Sequence, residues 1–144
     1  MDIEGRFMIL TVEEKSAIKE SFAVLLRENA NVAECFYNNL FELAPLIKPL
    51  FKSGRENIEN HFHELIGTAV NKIDHFNDLR ADLIALGKRH KIYGAQQAHF
   101  AVVKAAFILS IQYKLKGQCS PFLENSWAKY IDNISSVMIE GLES

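Results

Sequence analysis

Apolar residues recur at every third or fourth position along nearly all of this chain, a period that a helix can bury on one side and a strand cannot. The first such stripe is Ile18, Phe22, Leu25 and Leu26. It follows Thr11-Val12-Glu13-Glu14, a capping box in which hydroxyl and carboxylate satisfy free backbone N–H groups at a helix start. Asn29-Ala30-Asn31 marks a joint, and Val32, Phe36, Tyr37, Leu40 and Phe41 form the second stripe. Pro45 and Pro49 bracket a short corner, and Ser53-Gly54 reads as a turn. Helical spacing returns with Ile58, Phe62, Leu65, Ile66, Ala69 and Ile73. A polar connector over residues 74–78 leads to a shorter helix with Leu79, Leu83 and Leu86, ending near His90 before Gly94. A long helix over residues 97–115 carries Val103, Phe107 and Ile111, and Lys116-Gly117 closes it. Ser120-Pro121 opens the last helix, an N-cap followed by proline at the first helical position. No segment alternates as a strand would, so the sequence predicts an all-α fold of six to eight helices with short connections.

At 144 residues the chain is the length of one domain, assigned to residues 11–144 behind an N-terminal extension over residues 1–10. A net charge of −2, with the basic residues scattered, disfavours a nucleic-acid or anionic-membrane partner. The apolar stretches fall far short of the ~20 residues that span a bilayer. The first ten residues carry Asp2, Glu4 and Arg6 and lack the apolar core of a signal peptide, so a cytoplasmic location is expected. Cys35 and Cys119 are far apart; Cys35 is expected as a buried thiol on an apolar helix face and Cys119 as a more exposed one in a turn. There is no Gly-rich phosphate loop and no nucleophile elbow. His61-Phe62-His63 and His75 do not reproduce a metal-binding spacing.

One polar residue stands out on an apolar stripe: His90, a turn beyond Leu86, in the run Leu86-Gly87-Lys88-Arg89-His90-Lys91-Ile92-Tyr93-Gly94. Spacing alone leaves two readings open. A histidine at a helix C-terminus interacts favourably with the helix dipole and need do nothing more. Alternatively a neutral imidazole points at a metal, oriented by a hydrogen bond from its other ring nitrogen.

The order Phe36-Tyr37-Asn38-Asn39-Leu40-Phe41, Leu50-Phe51, Ile73-Asp74, Leu86-Gly87-Lys88-Arg89-His90, Tyr93-Gly94 and Trp127 resembles the globin family, in particular single-domain bacterial haemoglobins and neuroglobin-like chains. The resemblance runs from about Thr11 to Met138 and implies a globin fold around a pocket for haem b. It implies His90 as the proximal ligand of the haem iron, with its second ring nitrogen on the Leu86 carbonyl. Phe51, thirty-nine residues earlier, would stack on the haem face as a corner wedge. Tyr37 would present its hydroxyl on the distal side, as a hydrogen-bond donor to a captured oxygen molecule. Phe62, Leu86 and Tyr93 would complete the pocket.

The distal position has two registers. In one, His61 occupies it, twenty-nine residues before His90 and ten after Phe51, and is available as a second iron ligand. In the other, Ile73-Asp74 sets the helix end and Ile58 fills the slot, with His61 one turn further along. His63 points about 200° away from His61, so both cannot face one iron. His99-Phe100 matches a His-Tyr pair of the bacterial relatives with Phe for Tyr, which argues against a peroxidase-like push from the proximal side. The implied function is reversible binding of oxygen, nitric oxide or carbon monoxide by a monomer or homodimer. Nitric oxide dioxygenation would be a turnover that needs a separate reductase. The alternative is a gas- or redox-sensing regulatory globin with six-coordinate or absent haem.

Overall fold

A computed structural model describes residues 2–3 and 7–144, with side chains from residue 8 onward; the rest of the extension expected over residues 1–10 lies outside the described residues. The fold is all-α, built from α1 (Val12–Arg27), α2 (Val32–Leu43), α3 (Arg55–Asn71), α4 (Arg80–Ile92), α5 (His99–Leu115) and α6 (Pro121–Glu143). Two departures from the sequence reading are local. An antiparallel pair of two-residue strands, β1 (Asp2–Ile3) and β2 (Phe7–Met8), precedes α1; strands this short carry no readable alternation. The polar connector is a 3-10 helix, Ile73–Leu79, whose backbone breaks at His75.

The helix ends follow the predicted chemistry. Thr11 Oγ1 accepts from the Glu14 N–H at 3.1 Å, while Glu14 Oε1 accepts from the Thr11 N–H at 2.8 Å. Asn29 adopts a positive φ of 52° just beyond α1, and the Ala30 N–H reaches back to the Leu25 carbonyl at 3.0 Å, a left-handed stop. Ser120 caps α6 ahead of Pro121.

Helix α6 is the spine, packing against α4, α1 and α5. Trp127, fully buried on it, donates its indole N–H to Ser21 of α1 at 2.9 Å. The Tyr130 hydroxyl donates to the Ala69 carbonyl of α3. Asn133 accepts from the Met8 N–H at 2.8 Å and donates to the Met8 carbonyl at 2.7 Å, pinning β2 to α6. Across the molecule α2 lies on α5, joined by Asn39 Nδ2 donating to Ser110 Oγ at 3.0 Å, and α3 leans on α2. Helices α3 and α4, by contrast, make at most marginal contact with each other. That separation, termed the gap, matters for function because α3 carries the half-buried Ile58, Phe62 and Leu65 and α4 the half-buried Leu86 and His90.

Cys35 and Cys119 are both free and both partly exposed, so the buried thiol expected at Cys35 is not found. Cys119 packs against the core through the turn that follows the 3-10 segment Lys116–Gln118.

Candidate functional site

From Leu79, the residue before α4, through Leu83 and Leu86 to His90, one apolar row continues into the last turn of α4. At 100° per residue, Leu86 and His90 lie about 100° and about 60° around α4 from Gly87, which faces α6, and both are half-buried. His90 Nδ1 sits 2.9 Å from the Leu86 carbonyl oxygen. A carbonyl can only accept, so Nδ1 carries the proton and Nε2 presents its lone pair. Burial holds the imidazole below the usual histidine pKa; the Leu86 hydrogen bond opposes that shift and the Arg89 cation adds to it. The product is a neutral imidazole, oriented from behind, with one free nitrogen. The exposed Tyr93 ring stands edge-on to it at 6.0 Å.

The other side is a wall of rings from α2, the corner and α3. Phe36 and Phe62 stack face to face at 4.1 Å with an interplanar angle of 4°. Tyr37 is edge-on to Phe36, Phe51 and Phe62, at 4.9, 5.6 and 5.9 Å. Phe51 also meets Phe41 at 5.3 Å. Tyr37 is buried, and burial pushes its hydroxyl up to about 12, so it remains a donor at any ordinary pH. Ile58 and Leu65 on α3 are half-buried against the same core. His61 is exposed, on the side of α3 shared with Ile58. His63 is on another side, lining a small apolar cavity with Phe22, Leu25, Ile66, Phe107 and Ile111.

The structure therefore brings Tyr37, Phe51 and Phe62 into one ring cluster and gathers Leu86 and His90 on α4 with Tyr93 at its C-cap. No hydrogen bond or ring contact joins the two groups among the described residues. The first group belongs to α2, the corner and α3, and the second to α4, which α3 touches at most marginally; they are termed the two banks of the gap. The corner meets the end of α4 at Gly94, where a φ of 96° lets the chain pass Leu50; a Cβ there would lie 3.3 Å from Leu50 Cδ2.

Two features were invisible to the sequence reading. Arg55, the first residue of α3, donates to the Glu34 carbonyl at 2.9 Å and to Asn38 Oδ1 at 2.7 Å, pairs with Glu59, and lies 5.8 Å over both the Tyr37 and Phe41 rings. Its i,i+4 spacing to Glu59 was the one available signal. Gly87 and Gly141 meet at the α4–α6 crossing, and nothing in the sequence pairs them.

The donor set decides what the gap fits. Among the described residues no three His, Cys, Asp or Glu side chains come together as a bare metal site. His90 offers a single nitrogen in apolar surroundings. A metal held there needs the rest of its coordination from its own organic frame, and a flat apolar macrocycle suits a gap with ring and aliphatic walls. The residues present fit haem.

The Globin family model matches residues 34–138. An anaerobic nitrite reductase of rice (Oryza sativa subsp. indica) is 24% identical over 136 residues, covering 90% of this chain and 94% of its own. Among solved structures, an engineered carbene transferase built on a Rhodothermus marinus protein named for nitric oxide dioxygenation superposes with a TM-score of 0.84 at 18% identity, covering 94% of both chains. A hexacoordinated heme protein from an anhydrobiotic tardigrade gives 0.79 at 20% identity, covering 94% of this chain and 96% of that one. No helix among the described residues is long and apolar enough to cross a membrane.

Proposed function

Since the chain belongs to the globin family, we propose that it is a haem protein that reversibly binds oxygen or another diatomic gas, with His90 as its proximal ligand. The observation that carries this reading is the His90 imidazole: neutral, half-buried, protonated at Nδ1 against the Leu86 carbonyl and free at Nε2. Haem b, when bound, would supply an iron able to bind a diatomic gas. Leu86, Phe51, Phe62 and Ile58 furnish apolar walls that exclude water, and Tyr93 stands at the rim.

Tyr37 supplies the polar group of the distal side. Its hydroxyl, kept protonated by burial, would be available to donate a hydrogen bond to a gas molecule held there. His61 is the second distal group. Its exposure supports a role at the mouth, as a donor to an entering ligand, over a role as a standing sixth ligand. The names of the rice and Rhodothermus relatives support reactions of small nitrogen oxides at the same site, with electrons from a separate reductase.

Reconstitution with haemin tests this directly. The protein should take up one haem with a strong Soret band, His90→Ala should lose it, and His90→Gly should regain it with added imidazole. A chain that takes up no haem, or one indifferent to His90→Ala, sinks the reading. A ferrous spectrum with a split visible pair that collapses in His61→Ala would return His61 to the iron and favour the sensor alternative.

A further inference from the structure

We propose that Gly87 and Gly141 form a backbone crossing that sets where the His90 imidazole stands, which makes both glycines positioning residues for the haem ligand. The proposal rests on the reading of His90 given above.

The geometry is reciprocal. A Cβ added at Gly87 would overlap the Met138 carbonyl oxygen and come within 2.8 Å of its carbonyl carbon. A Cβ added at Gly141 would overlap the Ile84 carbonyl oxygen, 2.9 Å from the Ile84 carbonyl carbon and 3.0 Å from the Lys88 nitrogen. Each glycine thus lies on the backbone of the other helix, three residues from the partner glycine. A flexible side chain could swing aside from such a clash; backbone cannot. The other helical glycine, Gly67, faces only the tip of the Phe22 ring at 4.0 Å, an ordinary contact.

Glycine weakens a helix interior, so two glycines at facing positions act against α4 and α6 as isolated helices. Their return is proximity. Helix α4 seats on α6 at a separation no other residue pair allows, with Cα–H groups against carbonyls. The crossing is adjacent to the residue that orients the ligand: Gly87 follows Leu86, whose carbonyl holds His90 Nδ1. Two polar ties flank it, Arg80 to Glu140 and Lys91 Nζ to the Ser144 carbonyl at 2.8 Å. Among the described residues α3 and α4 make at most marginal contact. The height of His90 over the gap is therefore set from α6, through Gly87 and Gly141.

The test uses the haem-reconstituted full chain. Gly141→Ala should shift the iron–histidine stretching band of the ferrous protein. It should also speed haem transfer to an acceptor globin roughly tenfold, the scale seen when an orienting partner of a metal ligand is lost. Gly67→Ala should do neither. In the His90→Gly background, with haem held through free imidazole, Gly141→Ala should change neither readout, because that imidazole is not tied to α4. An equal change in both backgrounds would mean a merely structural role and overturn the proposal. So would a Gly141→Ala protein indistinguishable from Gly67→Ala. Arg80→Gln adds no atom to the crossing and keeps the question open to test if the alanine variants fail to fold. It should leave the band in place, and a shift under Arg80→Gln would assign the positioning to the ion pair and overturn the glycines. Failure of His90→Gly to lose haem would defeat the parent reading on its own, whatever the glycines do.

Discussion

The two banks of the gap are held by different means. On the α4 bank, one imidazole is fixed by a hydrogen bond four residues back along its own helix, and the helix is seated on α6 by backbone contact. On the α2–α3 bank, nothing is so local: Phe36, Tyr37, Phe41, Phe51 and Phe62 hold one another, and Arg55 closes their outer edge. The first arrangement gives one atom one position. The second gives a shaped apolar wall in which each ring depends on several others. A ligand that must bond to metal belongs on the first bank, and a wall that selects and shields a small guest belongs on the second.

The strongest way to break this comparison is to remove one imidazole from each bank. His90→Ala should weaken haem binding by about a hundredfold or more, at or beyond the top of the ~10–100-fold range for losing a mere orienting partner of a metal ligand. His61→Ala, on an exposed ring, should weaken it by less than about tenfold. Haem transfer to an acceptor globin measures both, and equal losses would erase the asymmetry.

Next comes the ring wall itself. Phe36 is buried and stacked on Phe62. Phe36→Ala should cost about 3–5 kcal/mol in urea unfolding of the haem-free protein, the usual range for a buried aromatic truncated to alanine. A loss under about 1 kcal/mol would mean that the wall collapses to fill the space and is softer than its ring geometry implies.

That difference also explains what could be read in advance. His90 and its Leu86 partner are legible through the globin resemblance, because spacing alone leaves open a histidine that only caps its helix; the i−4 contact between them is local to one helix. The corner around Phe51 is visible because Pro45 and Pro49 mark it, and the cap at Thr11 because the box spans four residues. Arg55 over Tyr37 is a tertiary event between the start of α3 and the middle of α2. Gly87 and Gly141 are fifty-four residues apart, and a glycine's meaning lies in what passes beside it. The strand pair β1–β2 escapes because two residues cannot alternate. His61 was legible as a residue type at a suitable distance from Phe51 and His90. Its place was not, since two registers compete, one that puts His61 in the distal position and one, set by Ile73-Asp74, that puts Ile58 there.

Tyr37 sharpens the comparison at high pH. Burial raises its hydroxyl to about 12 in the folded chain, while an unfolded tyrosine ionises near 10. Between these values the unfolded state binds fewer protons than the folded one, so stability present below pH 10 is lost as pH climbs towards 12. Tyr37→Phe should keep the ring contacts and flatten part of that decline, seen in urea midpoints taken across the window. Tyr130, also raised by its burial, accounts for a remaining slope. An unchanged decline would mean that the Tyr37 hydroxyl is reached by solvent and is not the protected donor of this wall.

The smallest expected effect is the most diagnostic of how the wall is closed. Arg55 is exposed, so its pairing with Glu59 contributes at most about 1 kcal/mol, and its position over two rings a similar amount. Its charge, however, acts on Tyr37 in the direction opposite to that of Glu59: the guanidinium lowers the phenol and the carboxylate raises it. Arg55→Ala should therefore move the alkaline titration of Tyr37, followed at 295 nm, upward, and Glu59→Gln should move it downward. Both variants remove the same ion pair and loosen the same edge of α3. If loosening were the whole effect, water would enter in both and the two titrations would shift the same way. Opposite shifts require that Arg55 and Glu59 act on the buried hydroxyl as fixed charges, with the ring wall still closed beneath them.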